Sequence, residues 1–264
     1  MISPGSFAVS GRAEDVIRVL ALDTSADSGS VALLDHDRLR GEYLFSGAQA
    51  HSERLLAMID RLLADSACSL ADIDLLAVSL GPGSFTGLRV GISTAQGLAL
   101  AAGKDLLGIP TLEAIAFQAR GYCEQICPMI TARGQEIFTG LYRCPDQGDL
   151  QQVRAETVTD PEPWLSGISG DTVFVGSGAV LHRETITALL GEKARVLPSL
   201  AGLPRASSVA ALALCRYQGA AAHASAAMAP RYIRAPGAEL PGGKSGGNSQ
   251  PGTGGVAGAS GAKS

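Results

Sequence analysis

Apolar and polar residues alternate along this chain in a way that predicts a short β-meander followed by alternating helices and strands. Three apolar runs, Val16 to Leu22, Ser30 to Leu34 and Arg40 to Phe45, have the length and β-branched content of strands. The turns Ala26-Asp-Ser-Gly29 and Asp35-His-Asp37 join them, so the three pair antiparallel. A helix follows from Gln49 to Ser66, with Leu55, Ile59, Leu62 and Ser66 in one row and Leu56 and Leu63 beside it. Ser69-Leu-Ala-Asp72 has the spacing of a capping box. Leu75 to Leu80 reads as a buried strand, broken by Gly81-Pro82-Gly83. Ser84 or Thr86 then caps a helix that runs to about Leu100. Asp105 to Ile109 is the next strand, and Thr111 caps a helix reaching Gly121.

The pattern then repeats in weaker form. Cys127 to Ala132 and Glu136 to Cys144 are strands around the turn Arg133-Gly-Gln135, and Gln151 to Val158 is a third. Pro161-Glu-Pro-Trp164 reads as a connection. Thr172 to Val175 is a strand ending at Gly176-Ser-Gly178, and Val180 to Leu190 a single helix. Ala194 to Leu197 is a short strand and Ser207 to Gln218 an Ala/Leu-rich helix. Two related α/β units result, at residues 16–108 and 109–234, with the helix near 207–218 able to pack back on the first. Residues 1–15 form a small, polar, flexible extension. Residues 235–264 hold ten glycines and three prolines but one leucine and one valine, which predicts a disordered tail.

Composition narrows the function classes. Hydrophobic residues make up 46% of the 264, enough for a core, and the net charge of −4 comes with no Lys/Arg cluster. With aromatics at 5%, the chain by itself lacks both the electrostatic footprint and the stacking platform of a nucleic-acid binder. No secretory h-region precedes Asp15, and no apolar run reaches the ~18 residues of a membrane span, so a cytoplasmic protein is expected. The five cysteines are scattered, with Cys123 and Cys127 the one close pair, and read as free thiols in a reducing compartment. No two of the four histidines stand four apart as a metal pair.

The candidate chemistry gathers around residues 75–100. Gly87, Gly91, Ala95 and Ala99 fall four apart and make a ridge of small residues, which lets another helix come close, in this chain or in a second protein. A strand, a glycine loop and a helix N-terminus together also form a possible anion site. It is no P-loop, because Leu88 follows Gly87 where a Lys is required, and Thr86 departs from the dinucleotide fingerprint. Asp23, with Thr24 and Ser25, ends a buried strand, either placing a carboxylate near a hydrated metal or bonding its own turn.

Gly81-Pro-Gly-Ser-Phe-Thr-Gly-Leu-Arg-Val-Gly91, with Leu22-Asp-Thr-Ser25 and His51-Ser-Glu-Arg-Leu-Leu56 upstream, resembles the TsaB family. The likeness runs from about Arg18 to Arg120, thins from Met129 to Tyr142 and returns at Pro230-Arg-Tyr-Ile-Arg234. It implies an α/β fold of the actin-like ATPase (ASKHA) type, two related subdomains each with a mixed sheet and flanking helices. It also implies a non-catalytic subunit in the synthesis of threonylcarbamoyladenosine at tRNA position 37, beside the anticodon of tRNAs reading ANN codons. The implied partners are TsaD, as a heterodimer, and the ATPase TsaE, with a homodimer as an option; tRNA is met through the complex.

Residue by residue, the resemblance makes Asp23, Thr24 and Ser25 the place of a nucleotide site. Active members of the wider fold carry a Gly after this carboxylate, where Thr24 stands. The His-x-x-x-His pair of the catalytic paralogue TsaD falls on Thr111 and Ile115, and an isoleucine binds no metal. Thr131 replaces the Asp usual in TsaB relatives. The expectation is no catalytic residue, no metal ligand and no tightly bound cofactor in this chain alone, with ATP and metal handled by the complex. Leu55, Ile59, Leu62, Phe85, Leu88, Arg89 and Ile92 are the expected partner surface, because the apolar stripes look too wide for one sheet. The alternative is a small-molecule kinase or an M22-type peptidase of the same fold.

Overall fold

The computed structural model describes residues 16–47, 51–145 and 149–217 and the positions 229, 231 and 233, without the side chains of 51–53. The expected extension at 1–15 and tail at 235–264 lie outside the described residues. Two five-stranded sheets organise the described residues. In the first, β1 (Arg18–Asp23), β2 (Ser28–Asp35) and β3 (Arg38–Ser46) are antiparallel, and β4 (Leu75–Gly81) and β5 (Asp105–Pro110) continue parallel to β1 in the order β3-β2-β1-β4-β5. The second is built from β6 (Gln125–Thr131), β7 (Ile137–Arg143), β8 (Gln151–Thr159), β9 (Thr172–Val175) and β10 (Ala194–Val196), in the order β10-β9-β6-β7-β8. Each sheet is thus a meander whose first strand is extended on its free edge by two further parallel strands. This duplicated mixed-sheet topology is the actin-like ATPase fold.

The helices are α1 (His51–Asp65), α2 (Phe85–Ala102), α3 (Thr111–Gln118), α4 (Pro161–Leu165), α5 (Ser177–Leu181), α6 (Arg183–Leu190) and α7 (Ala206–Arg216). Strand alternation assigns the two faces of the first sheet. Leu20 and Leu22 of β1 face α1 and α2, where they meet Leu55, Ile59, Leu62, Ile92, Ala95 and Ala99. Val19 and Ala21 face the opposite way, onto Val209, Ala210 and Ala213 of α7. α7 therefore lies on the first sheet although it comes last, and its Ala206 amide donates to Ser30 Oγ at 2.8 Å. α3 joins the two cores: Ala114 packs with the α7 layer, while Leu112, Ile115 and Ala116 pack with Ile126, Val173 and Val175 of the second sheet.

Three local expectations change. Thr111 does not cap α3; the extended Pro110 holds that position and Thr111 is the first helical residue, wholly buried. The helix expected over Val180 to Leu190 is two helices that meet at His182, whose φ of −101° and ψ of 24° leave the helical region. Pro161-Glu-Pro-Trp164 is the short helix α4, with Pro161 in its first turn, where a missing N–H costs no hydrogen bond.

Candidate functional site

The C-terminal ends of β1 and β4 and the N-terminus of α2 meet at the turn Asp23-Thr24-Ser25. Asp23 follows Leu22, which lies beside Val78 of the parallel β4, and this brings the carboxylate next to Ser79. Asp23 is completely buried. Its Oδ1 accepts from the Ser25 amide at 2.9 Å and from Ser25 Oγ at 2.8 Å. Its Oδ2 and the Ser79 hydroxyl on the neighbouring strand have no hydrogen bond among the described residues. Burial raises the Asp23 carboxyl above its ordinary 3.8, against the pull of the two Ser25 bonds. The carboxylate thus closes its own turn.

α2 fills the space where a ligand would approach. Thr24 Oγ1 donates to the Gly87 carbonyl at 2.7 Å, and the Ser84 amide donates to the Ser25 carbonyl at 2.7 Å. Ser84 caps the helix, its Oγ accepting from the Gly87 amide at 3.2 Å. A Cβ on Gly87 would stand 2.1 Å from the Thr24 carbonyl oxygen, and one on Gly91 2.2 Å from Thr24 Oγ1. The small-residue ridge Gly87, Gly91, Ala95, Ala99 is buried against this chain's own sheet, so the close approach it permits is intramolecular. The Ser84 and Gly87 amides, which an anion would need, are already engaged.

The second lobe repeats the device. A Cβ on Gly176, just after β9, would stand 2.4 Å from the Met129 carbonyl oxygen of β6. The Thr131 amide donates to Ser177 Oγ at 3.1 Å, and the two hydroxyls lie 3.3 Å apart. Thr131 therefore joins the start of α5 through neutral hydrogen bonds. Thr111 and Ile115 are wholly buried, Ile115 within the second core, and neither is available to a metal. Among the described residues no three His, Cys, Asp or Glu side chains cluster as metal ligands. Cys127 is no nucleophile: burial pushes its thiol up to about 11, and its sulfur accepts from Trp164 Nε1 at 3.3 Å. No described helix is long and apolar enough to cross a membrane.

The expected partner surface divides. Leu55, Ile59, Leu62, Leu88 and Ile92 are buried in the core of the first lobe, which corrects their assignment as contact residues. The stripe looked too wide because α1 and α2 pack on the sheet and on each other, a geometry that consumes more than one side of each helix. Phe85 and Arg89 are exposed, with the guanidinium 3.8 Å from the ring centroid. They begin an outer face continued by Ser93, Gly97, Leu100 and Ala101, and Leu100 is 85% exposed. Leu56 on α1 is exposed as well. Four-residue steps from Phe85 and Arg89 point to this row, a signal obscured by the stronger buried periodicity.

Comparisons with known proteins agree on one kinship. A family model described as "TsaD: tRNA N6-adenosine threonylcarbamoyltransferase" matches residues 46–242. The chain is 35% identical over 167 residues to the tRNA threonylcarbamoyladenosine biosynthesis protein TsaB of Escherichia coli, covering 61% of this chain and 72% of that protein. It is 31% identical over 197 residues to the protein of the same name from Bacillus subtilis, covering 74% of this chain and 86% of the other. Among solved structures, YeaZ from Pseudomonas aeruginosa is similar with a TM-score of 0.70 at 29% identity, over 82% of this chain and 99% of that one.

Proposed function

The chain belongs to the TsaB family, and from that premise we propose that it serves threonylcarbamoyladenosine synthesis on tRNA as a non-catalytic docking subunit. Its curated relatives are named for that biosynthesis. The partner is TsaD, which performs the transfer; TsaE joins the pair as the ATPase, and tRNA is met through the assembly. ATP and metal are handled by the complex. The same face also offers a homodimer contact.

One observation carries the reading: α2 has 18 residues and a single charged side chain, Arg89, yet its outer face is open to solvent. Exposed helix faces ordinarily carry several charges, and a row of Phe85, Ser93, Gly97, Leu100 and Ala101 broken by Arg89 alone suits burial against another helix. The small residues let a partner backbone approach, while Phe85 and Leu100 supply the apolar area. The filled strand end at Asp23 supports the non-catalytic half of the proposal. Co-expression with TsaD and measurement of complex mass is the test. A stable heterodimer is expected from the wild type and none from Leu100→Glu. Equal complex formation by both would remove α2 as the docking face.

A further inference from the structure

Arg231 belongs to the Pro230-Arg-Tyr-Ile-Arg234 stretch that the proposed docking leaves without a role. Its backbone and its side chain go to different sheets. The Arg231 amide donates to the Leu80 carbonyl near the end of β4 at 2.8 Å. Gly81 lies against the same segment: a Cβ there would stand 3.2 Å from the Arg231 carbonyl oxygen. The guanidinium crosses to the second lobe, with Nη1 3.5 Å from Glu156 Oε2 on β8.

Glu156 needs that cation. Its side chain is only 3% exposed, while that of Arg231 is half exposed. Oε1 accepts from the Tyr142 hydroxyl of β7 at 2.7 Å, whereas Oε2 has no hydrogen bond among the described residues. Glu113 of α3 adds a like charge nearby, although it is itself paired with Arg216 of α7. A buried carboxylate in that position is costly unless a cation reaches it. Pulling Arg231 away therefore has an electrostatic penalty in the second lobe and breaks a backbone bond in the first. The bond lies immediately before Gly81-Pro82-Gly83, the loop that sets the N-terminus of α2 and hence Phe85 and Arg89.

We propose that Arg231 is a strap: it ties Glu156 of the second lobe to the β4–α2 loop of the first, and its release loosens the end of the docking helix. The strap is a property of this chain alone; its effect on docking rests on the function proposed above.

Hydrogen–deuterium exchange on the full chain separates the two. Arg231→Ala and Glu156→Gln should each speed exchange across residues 80–88 by about three- to tenfold, a local opening rather than a global one. The double variant should match the singles, because both remove the same pair. Peptides from β2 (Ser28–Asp35) should be unchanged, and Arg231→Lys should restore most of the protection. Unchanged exchange at 80–88 in Arg231→Ala would overturn the strap. So would additive effects in the double variant, or equal acceleration in β2. TsaD affinity is then measured on the same proteins, and severalfold weaker binding by Arg231→Ala is expected. Altered exchange with wild-type affinity would leave a strap uncoupled from docking and overturn the proposed coupling. Failure of the wild type itself to bind TsaD would count against the docking reading, with exchange still deciding the strap.

Discussion

A Cβ on Gly83 would stand 2.1 Å from the backbone oxygen of Ser25. Gly83 begins the entry to α2 and Ser25 ends the turn of Asp23, so the loop and the strand end of the first lobe touch through backbone. Substituting the glycines of the loop and of the helix face it leads to should therefore damage the fold itself. Gly83→Ala and Gly91→Ala are expected to lower stability by about 3 kcal/mol each, because backbone or a packed threonine must move. Gly97→Ala is the control: nothing lies within 4 Å of its Cβ position, and the change should stabilise by about 0.5–1 kcal/mol. Urea unfolding midpoints of the three variants check the contrast.

Core and outer face should separate cleanly. Leu88→Glu and Ile59→Glu place a charge among residues that are 1% and 2% exposed, and both should fail to fold rather than act as selective docking variants. Leu100→Glu, on the open side of α2, should leave the unfolding midpoint within about 0.5 kcal/mol of the wild type. Circular dichroism and urea unfolding distinguish these outcomes. A folded, stable Leu88→Glu protein would contradict the core assignment.

The Asp23 carboxyl has a folded pKa raised above 3.8 by burial. The folded state therefore keeps this proton over a range where the unfolded chain has lost it. Its contribution to stability is present below pH 3.8 and is lost as pH rises through the folded value. Asp35 runs the other way. The Arg18 hydrogen bond, at 2.5 Å, and then Arg40, at 2.6 Å, hold it below 3.8, so its contribution is present above that pH and is lost as pH falls through the folded value. Asp23→Asn keeps an oxygen for the Ser25 donors and offers Ser79 an N–H. Relative to the wild type, it should gain stability as pH rises above 3.8 and level off once the folded pKa of Asp23 is passed. A stability gap independent of pH over that range would show that Asp23 does not titrate in this way.

The thiols should report burial in the order of their surroundings. Cys215 is exposed and should react with a thiol reagent within the mixing time. Cys127, buried with its pKa raised to about 11, should react only as the chain unfolds. Counting labelled sulfurs against time by mass spectrometry checks this.

Most strands were legible because they are short apolar, β-branched runs set between clear turn signals. Thr172–Val175 is found as expected, and β1, β2 and β3 are each shifted by no more than two residues at either end. The break at His182 was hidden, since Val180 to Leu190 keeps a helical pattern with neither Pro nor Gly inside it. α4 was readable in hindsight from Pro161, whose place in a first helical turn is favoured. At the site, the sequence placed Asp23 and the glycine loop side by side. Whether the space between them is open depends on a contact across more than fifty residues, Gly83 to Ser25, which periodicity does not encode. The same holds for Leu55, Ile59 and Leu62: a row of leucines looks alike whether a sheet or a partner covers it.

The most direct measurement is a calorimetric titration of TsaD with this chain, using wild type, Leu100→Glu and Asp23→Asn side by side. If the outer face of α2 docks and the strand end at Asp23 takes no part, Leu100→Glu should bind at least about a hundredfold more weakly. Asp23→Asn should match the wild type. Wild-type affinity from Leu100→Glu, with loss of binding in Asp23→Asn, would contradict both halves of that claim.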